Sequence, residues 1–92
     1  GSDIFYDLDI SMVDATLGNE VYVPTLEKEE KIKIEQGSQP NTIVKLKGKG
    51  LPRLNSRGRG DQFVRLVVNI PKKLSKDQKA ILKEFQDKTG IW

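Results

Sequence analysis

Ninety-two residues with a net charge of +3, 36% hydrophobic content and neither cysteine nor histidine fit one small domain with a thin core. They exclude disulfides, thiolate metal sites and the commonest neutral-pH base. The charge is split, with nine acids and three bases in residues 1–41 (−6) and thirteen bases and four acids in residues 42–92 (+9); such a split marks two differently charged faces, or contact with nucleic acid or an acidic partner.

Gly1-Ser2 reads as the remnant of a removed expression tag, which makes the chain a piece of a longer protein and leaves these two residues outside the fold. Tyr6, Leu8 and Ile10 alternate with Asp7 and Asp9, the pattern of a half-buried strand. Ser11-Met12-Val13-Asp14 reads as a capping box opening a short helix through Leu17, stopped by Gly18 in a left-handed cap. Met12, Ala15 and Leu17 are the expected inward positions. Glu20–Val23 forms a second strand ended by Pro24, and Lys31–Glu35 a third, with Ile32 and Ile34 on one face. The turn between them lacks the usual Asn-Gly signal. Gln36–Asn41 is a loop by composition, and Thr42–Lys47 a fourth strand.

A long loop follows, with Gly48, Gly50, Pro52, Gly58 and Gly60 and, between Thr42 and Gly60, six Lys or Arg and no acid. The nearly continuous apolar run Gln62–Ile70 is a fifth strand, expected at the centre of its sheet. Ser75 and Gln78 form a second capping box, opening a helix that runs to about Lys88 with Gly90 as its cap. Ile81, Leu82 and Phe85 make one narrow apolar stripe on it, and Ile91-Trp92 close the chain. The fold class is therefore mainly β: a small antiparallel β-sandwich with one short helix after the first strand and a C-terminal helix.

The glycines do not form a phosphate loop, because neither the third glycine of a dinucleotide motif nor a Gly-Lys-Ser/Thr ending is present. Arg57-Gly58-Arg59-Gly60 is a single RGG-like element without interleaved aromatics, a weak signal for nucleic acid. The carboxylate pairs Asp7/Asp9 and Glu29/Glu30 lack the apolar surroundings that raise a pKa for acid–base work, so no enzyme, metal or cofactor is expected. A half-exposed sheet with a free edge that adds an extended peptide is the reading that remains.

Ala15-Thr16-Leu17-Gly18, Val23-Pro24-Thr25-Leu26, Ile34 with Gly37-Ser38-Gln39, Leu46-Lys47-Gly48-Lys49-Gly50-Leu51-Pro52, Gly60-Asp61-Gln62-Phe63-Val64-Arg65 and Leu74-Ser75 occur in an order and spacing that resemble the C-terminal region of DnaJ-type co-chaperones. The likeness runs from about Ile4 to Phe85. Glu27-Lys28 stands where the family usually has an Asp-Gly-like turn, and Glu35-Gln36 where it often has Pro-Pro; both departures lie in turns.

The resemblance implies the second of two β-sandwich subdomains followed by the dimerisation segment, here residues 3–73 and 74–92. It implies unfolded polypeptide clients, a homodimer, a DnaK-type ATPase chaperone reached through the full-length protein, and a cytoplasmic setting without membrane. The J domain, the Gly/Phe-rich linker and zinc-binding cysteines are missing from this stretch. By analogy with the first subdomain, a client would pair with the edge Val21-Tyr22-Val23 and meet Ile32, Ile34, Val44 and Leu46, although a plain core role fits each of these residues. Ile81, Leu82, Phe85, Ile91 and Trp92 are the candidate dimer contacts, and Lys45, Lys47 and Lys49 a candidate contact for the partner chaperone's acidic tail. Non-specific nucleic-acid binding by the basic loop is the alternative.

Overall fold

Alternation in sequence from Tyr6 to Ile10, and in burial from Gln62 to Leu66, turns one face of each strand inward. In the computed structural model, which describes residues 1–90, these two strands lie side by side. The elements are β1 (Ile4–Ser11), α1 (Met12–Leu17), β2 (Asn19–Pro24), β3 (Glu29–Ile34), β4 (Ile43–Leu46), β5 (Gln62–Asn69) and α2 (Lys76–Thr89). They form a three-stranded sheet in the order β1-β5-β4 and a two-stranded sheet, β2-β3. The mainly β sandwich with two helices is the architecture the sequence implies, with β5 central. One pairing inside it is parallel: β1 runs alongside β5 from Ile4↔Gln62 to Ser11↔Asn69. The intervening α1, β2-β3 hairpin and β4 supply the long connection that a parallel pair needs.

The facing sides of the two sheets share one core. Ile10, Val64 and Leu66 come from the first sheet, Val23, Ile32 and Ile34 from the second, and Ala15 from α1. Tyr6, Leu8, Val21, Val44, Leu46 and Val68 close around them. The one buried polar side chain among the described residues, Gln62, spans the sheets by donating from Nε2 to the Pro24 carbonyl at 2.9 Å, which meets the requirement that a buried amide be paired.

Local chemistry fixes the connections. Ser11 Oγ accepts from the Asp14 N–H at 3.0 Å, but the box is not reciprocal, because Asp14 Oδ1 accepts from Asn19 Nδ2 at 3.1 Å. Gly18 caps α1 with φ 82° and ψ 155°, an extended conformation open to glycine rather than the expected left-handed helical one. Leu17 is exposed, because two residues past the buried Ala15 the helix has turned by about 200°, to the opposite face. The β2-β3 turn needs no Asn-Gly pair: Thr25 Oγ1 accepts from the Glu27 and Lys28 N–H groups at 3.3 and 3.2 Å and donates to the Lys28 carbonyl, a hydroxyl-closed turn.

Ser2, set aside by the sequence reading, is built into the fold. Its carbonyl accepts from the Leu51 N–H at 2.7 Å, where three stretches of backbone meet. A Cβ on Gly50 would lie 2.6 Å from the Gly60 carbonyl carbon, and one on Gly60 would lie 2.5 Å from that of Ser2.

Helix α2 has its full capping box, Ser75 with Gln78, and a left-handed Gly90 cap at φ 72° and ψ −10°. It projects from the sandwich, giving overall dimensions of 58 × 22 × 19 Å and a radius of gyration of 17.4 Å; a compact chain of this length would have about 12 Å. Leu66→Ala should cost about 2–5 kcal/mol through the cavity it leaves, and Gly60→Ala about 1–3 kcal/mol through overpacking. Urea unfolding of the purified variants measures both.

Candidate functional site

Three surfaces concentrate the groups that could bind a partner. The first is the edge of β2. This strand pairs with β3 on one side, and its other side has no strand neighbour among the described residues, so part of its backbone is free to pair with an added strand. Tyr22 stands on the outer face, 62% exposed, beside a Glu20–Lys31 ion pair of 3.5 Å.

The expectation that Ile32 and Ile34 lie open on the hairpin is corrected. Both face the first sheet, 4% and 1% exposed, and Val23 is fully enclosed. Val21, Val44 and Leu46 are half-buried against the same core. The amphipathic alternation identifies their common face, and the opposing sheet covers it. A peptide on the β2 edge would therefore meet backbone and Tyr22, with Val21 as a partly accessible neighbour.

The second surface went unnoticed in the sequence. On the outer face of the first sheet, Phe5 stacks on Phe63 with ring centroids 5.4 Å apart and planes inclined by 19°. The parallel register pairs these two residues directly. One row along, Arg65 donates to both Asp7 carboxylate oxygens at 2.9 and 2.7 Å and to Asn41 Oδ1 at 2.7 Å, and exposed Ile43 lies opposite Arg65. Phe5 precedes the clean alternation and Phe63 sits inside an apolar run, so only their register could have signalled the pair.

The third surface is α2. None of its residues is buried; Ile81 is 64% and Phe85 54% exposed, with Leu82 beside them. At its base, Leu74, Ile81 and Leu82 line a cleft with Met12, Val13 and Pro71. Ile91 and Trp92, the other candidate dimer contacts, lie outside the described residues.

Half of the basic residues between Thr42 and Gly60 are paired with carboxylates of the fold. Lys49 pairs with Glu30 at 2.9 Å, Arg59 with Glu27 at 2.7 Å, and Lys45 with Asp61 at 3.6 Å. Lys47 is exposed. The acidic first half and basic second half thus face each other across the fold, through Glu30–Lys49, Glu27–Arg59 and Asp7–Arg65.

These contacts shift titrations. The Gly48 N–H, with Lys45 nearby, holds the Asp61 carboxyl below its ordinary value. Hydrogen bonding and charge from Arg65 do the same for Asp7, and Lys49 does so for Glu30 while its own ammonium is raised. A carboxylate whose folded pKa is depressed stabilises the fold above its unfolded pKa, and that contribution is lost as pH falls through the folded value. The urea midpoint should therefore be flat through neutral pH and drop once pH passes below the ordinary values of 3.8 for Asp and 4.5 for Glu. Asp61→Asn should lower the neutral-pH midpoint and flatten that drop, as urea titrations at a series of pH values would read.

No helix among the described residues is long and apolar enough to cross a membrane. The family model described as "DnaJ C terminal domain" matches residues 1–71, a stretch that includes Ser2 and both sheets. The chain is 50% identical over 90 residues to the chaperone protein DnaJ of Clostridium perfringens, covering 98% of this chain and 23% of that protein. It is 47% identical over 90 residues to that of Clostridioides difficile, with the same coverage. It is 47% identical over 88 residues to that of Halothermothrix orenii, covering 96% of this chain and 24% of the relative. The chain spans about a quarter of the length of these curated relatives, and within them the similarity extends past the family model to include α2. This chain belongs to the DnaJ C-terminal domain family.

Proposed function

We propose that the chain is a co-chaperone module that holds unfolded polypeptide and joins two copies of its parent protein. Residues 3–73 act as the client-binding β-sandwich, the second of two such subdomains, and residues 74–92 as the dimerisation segment. The observation that carries this reading is apolar surface left in water by an otherwise well-paired fold: Tyr22 beside the open β2 edge, and Ile81, Leu82 and Phe85 along α2. An extended client adds to the β2 edge by main-chain hydrogen bonds, and its side chains lie over Tyr22 and Val21. Work with a DnaK-type ATPase belongs to the full-length protein, in the cytoplasm, and Lys47, alone of the three candidate lysines in facing no carboxylate within 4.0 Å among the described residues, is the best placed of them to meet an acidic tail. Binding of nucleic acid by the basic loop is the weaker alternative, since Lys45, Lys49 and Arg59 already face carboxylates.

Fluorescence anisotropy of a labelled apolar peptide, run at low and high salt beside a labelled oligonucleotide, tests the client reading. Peptide binding should survive salt and weaken in Tyr22→Glu, whose charge would sit beside the added strand. Oligonucleotide binding that collapses with salt, with no peptide bound, would refute it. For the dimer, sedimentation should show the intact chain associating and Ile81→Ser/Phe85→Ser as a monomer. Comparison with a chain ending at Gly90 isolates the role of Ile91 and Trp92. A monomeric intact chain would overturn the assignment of residues 74–92.

A further inference from the structure

Residues 51–59 leave the sandwich as a narrow arm. At its base, the Gly50 N–H donates to the Gly60 carbonyl and the Gly60 N–H to that of Leu51, both at 2.9 Å. Arg59 ties the base to Glu27 of the β2-β3 turn at 2.7 Å. Farther out, Pro52 and Arg59 form an antiparallel bridge, and the Arg53 N–H donates to the Gly58 carbonyl at 3.1 Å. The arm then reverses with Gly58 at φ 87°, a left-handed position suited to glycine.

This constrained arm carries Leu54 into solvent at 97% exposure, with Leu51 also exposed. Under it lies an open hollow of about 620 Å³ lined by Ser2, Leu51, Pro52, Arg53 and Leu54 among others. Arg53 and Arg57 flank the tip and, unlike Arg59, form no ion pair among the described residues. No acid occurs between Thr42 and Gly60, so the arm presents uncompensated positive charge on either side of an aliphatic knob.

We infer that this arm docks an acidic polypeptide segment carrying a large aliphatic side chain. That side chain enters the hollow against Leu51, Pro52 and Leu54, while flanking carboxylates pair with Arg53 and Arg57. Charge complementarity selects an acidic partner, and Leu54 selects a polypeptide over a phosphate backbone, which offers no aliphatic group. Guanidinium groups suit this task because they grip carboxylates in a two-pronged geometry. The arm is distinct from the β2 edge, so this inference does not depend on client binding there.

The test uses the full chain and a short fluorescein-labelled peptide of alternating Glu and Leu, with Ser-Leu and Lys-Leu peptides and an oligo-uridine as comparators. The Glu-Leu peptide should bind most tightly. Arg53→Glu/Arg57→Glu should weaken it by at least ~10-fold, since like charges then face each other. Leu54→Ser should weaken it several-fold. Both arm variants should keep the parent's thermal midpoint, because the arm lies outside the core; if the double variant fails to fold, Leu54→Ser alone carries the test. Equal Glu-Leu affinity in Leu54→Ser and the parent would overturn the inference. So would Lys-Leu binding as tight as Glu-Leu, or oligo-uridine binding that is lost in the double variant and kept in Leu54→Ser.

Discussion

Three backbones meet where Ser2, Gly50 and Gly60 touch, and the rest of the sandwich depends on that crossing. The Ser2 carbonyl takes the Leu51 N–H, the Gly50 N–H reaches Gly60, and two residues later β1 and β5 begin their parallel pairing at Ile4 and Gln62. Side chains at either glycine would force these strands apart. Close backbone approach, rather than a loose flexible loop, is why two of the loop's glycines are glycines. The remainder of the loop has a different constraint: Gly48 and Gly58 have φ of 73° and 87°, and both turn the chain. The parallel pair itself closes residues 58 positions apart, as in Asp7–Arg65, and such long-range closure is entropically costly until the core contacts form. The Gly50 N–H to Gly60 carbonyl bond closes the loop between β4 and β5, so β1 pairs with a strand already tied to its other neighbour in the fold.

Charge follows the same geometry. The opposite net charges of the two halves look, in the sequence, like two surfaces facing away from each other. In the fold they interleave, because the β2-β3 turn lies against the Gly-rich loop and β1 lies against β5. Surface ion pairs of this kind contribute little individually. Their larger effect is on specificity, since they match the acidic turn to the basic loop and leave a smaller set of cations, notably Arg53 and Arg57, facing outward. The net charge of the whole chain is thus a poor guide to where its unpaired cations stand; among the described residues these include Lys47, Arg53 and Arg57.

Local signals in the sequence were readable because they act within a few residues. Ser11, Ser75 and Gly90 all bond to backbone three or four positions away, and the alternation in β1 assigns its faces directly. What could not be read depends on which strand meets which. Alternation fixes the common face of Ile32, Ile34, Val44 and Leu46 but says nothing of whether a second sheet covers it, so buried core and open groove carry the same pattern. The Phe5–Phe63 stack is hidden for the same reason, as the two residues are neighbours only through the parallel register. Thr25 shows the opposite case: its turn lacks the familiar dipeptide, yet one hydroxyl takes over the turn's hydrogen bonds.

Helix α2 raises a separate question of stability. Fourteen residues make a helix that is marginal in water on its own, and none of this one's residues is buried, although Ile81 and Leu82 line a shallow cleft with Met12 and Val13 at its base. Its support is local: the Ser75–Gln78 box at one end, Asp77 in the first turn, and Lys88 with the Gly90 cap at the other. Caps contribute about 1 kcal/mol each, and charges matched to the helix dipole contribute a few tenths to about 1 kcal/mol. These terms favour the helix locally. Covering Ile81, Leu82 and Phe85 would add hydrophobic stabilisation that the isolated helix lacks, so helix formation and occupation of its apolar stripe are thermodynamically linked. Whatever binds that stripe also shifts the helix–coil balance toward helix, whereas the sandwich has its own core and its own crossing at Ser2, Gly50 and Gly60. The order of the sandwich thus rests on its own core, and that of α2 on its caps and on whatever covers its stripe.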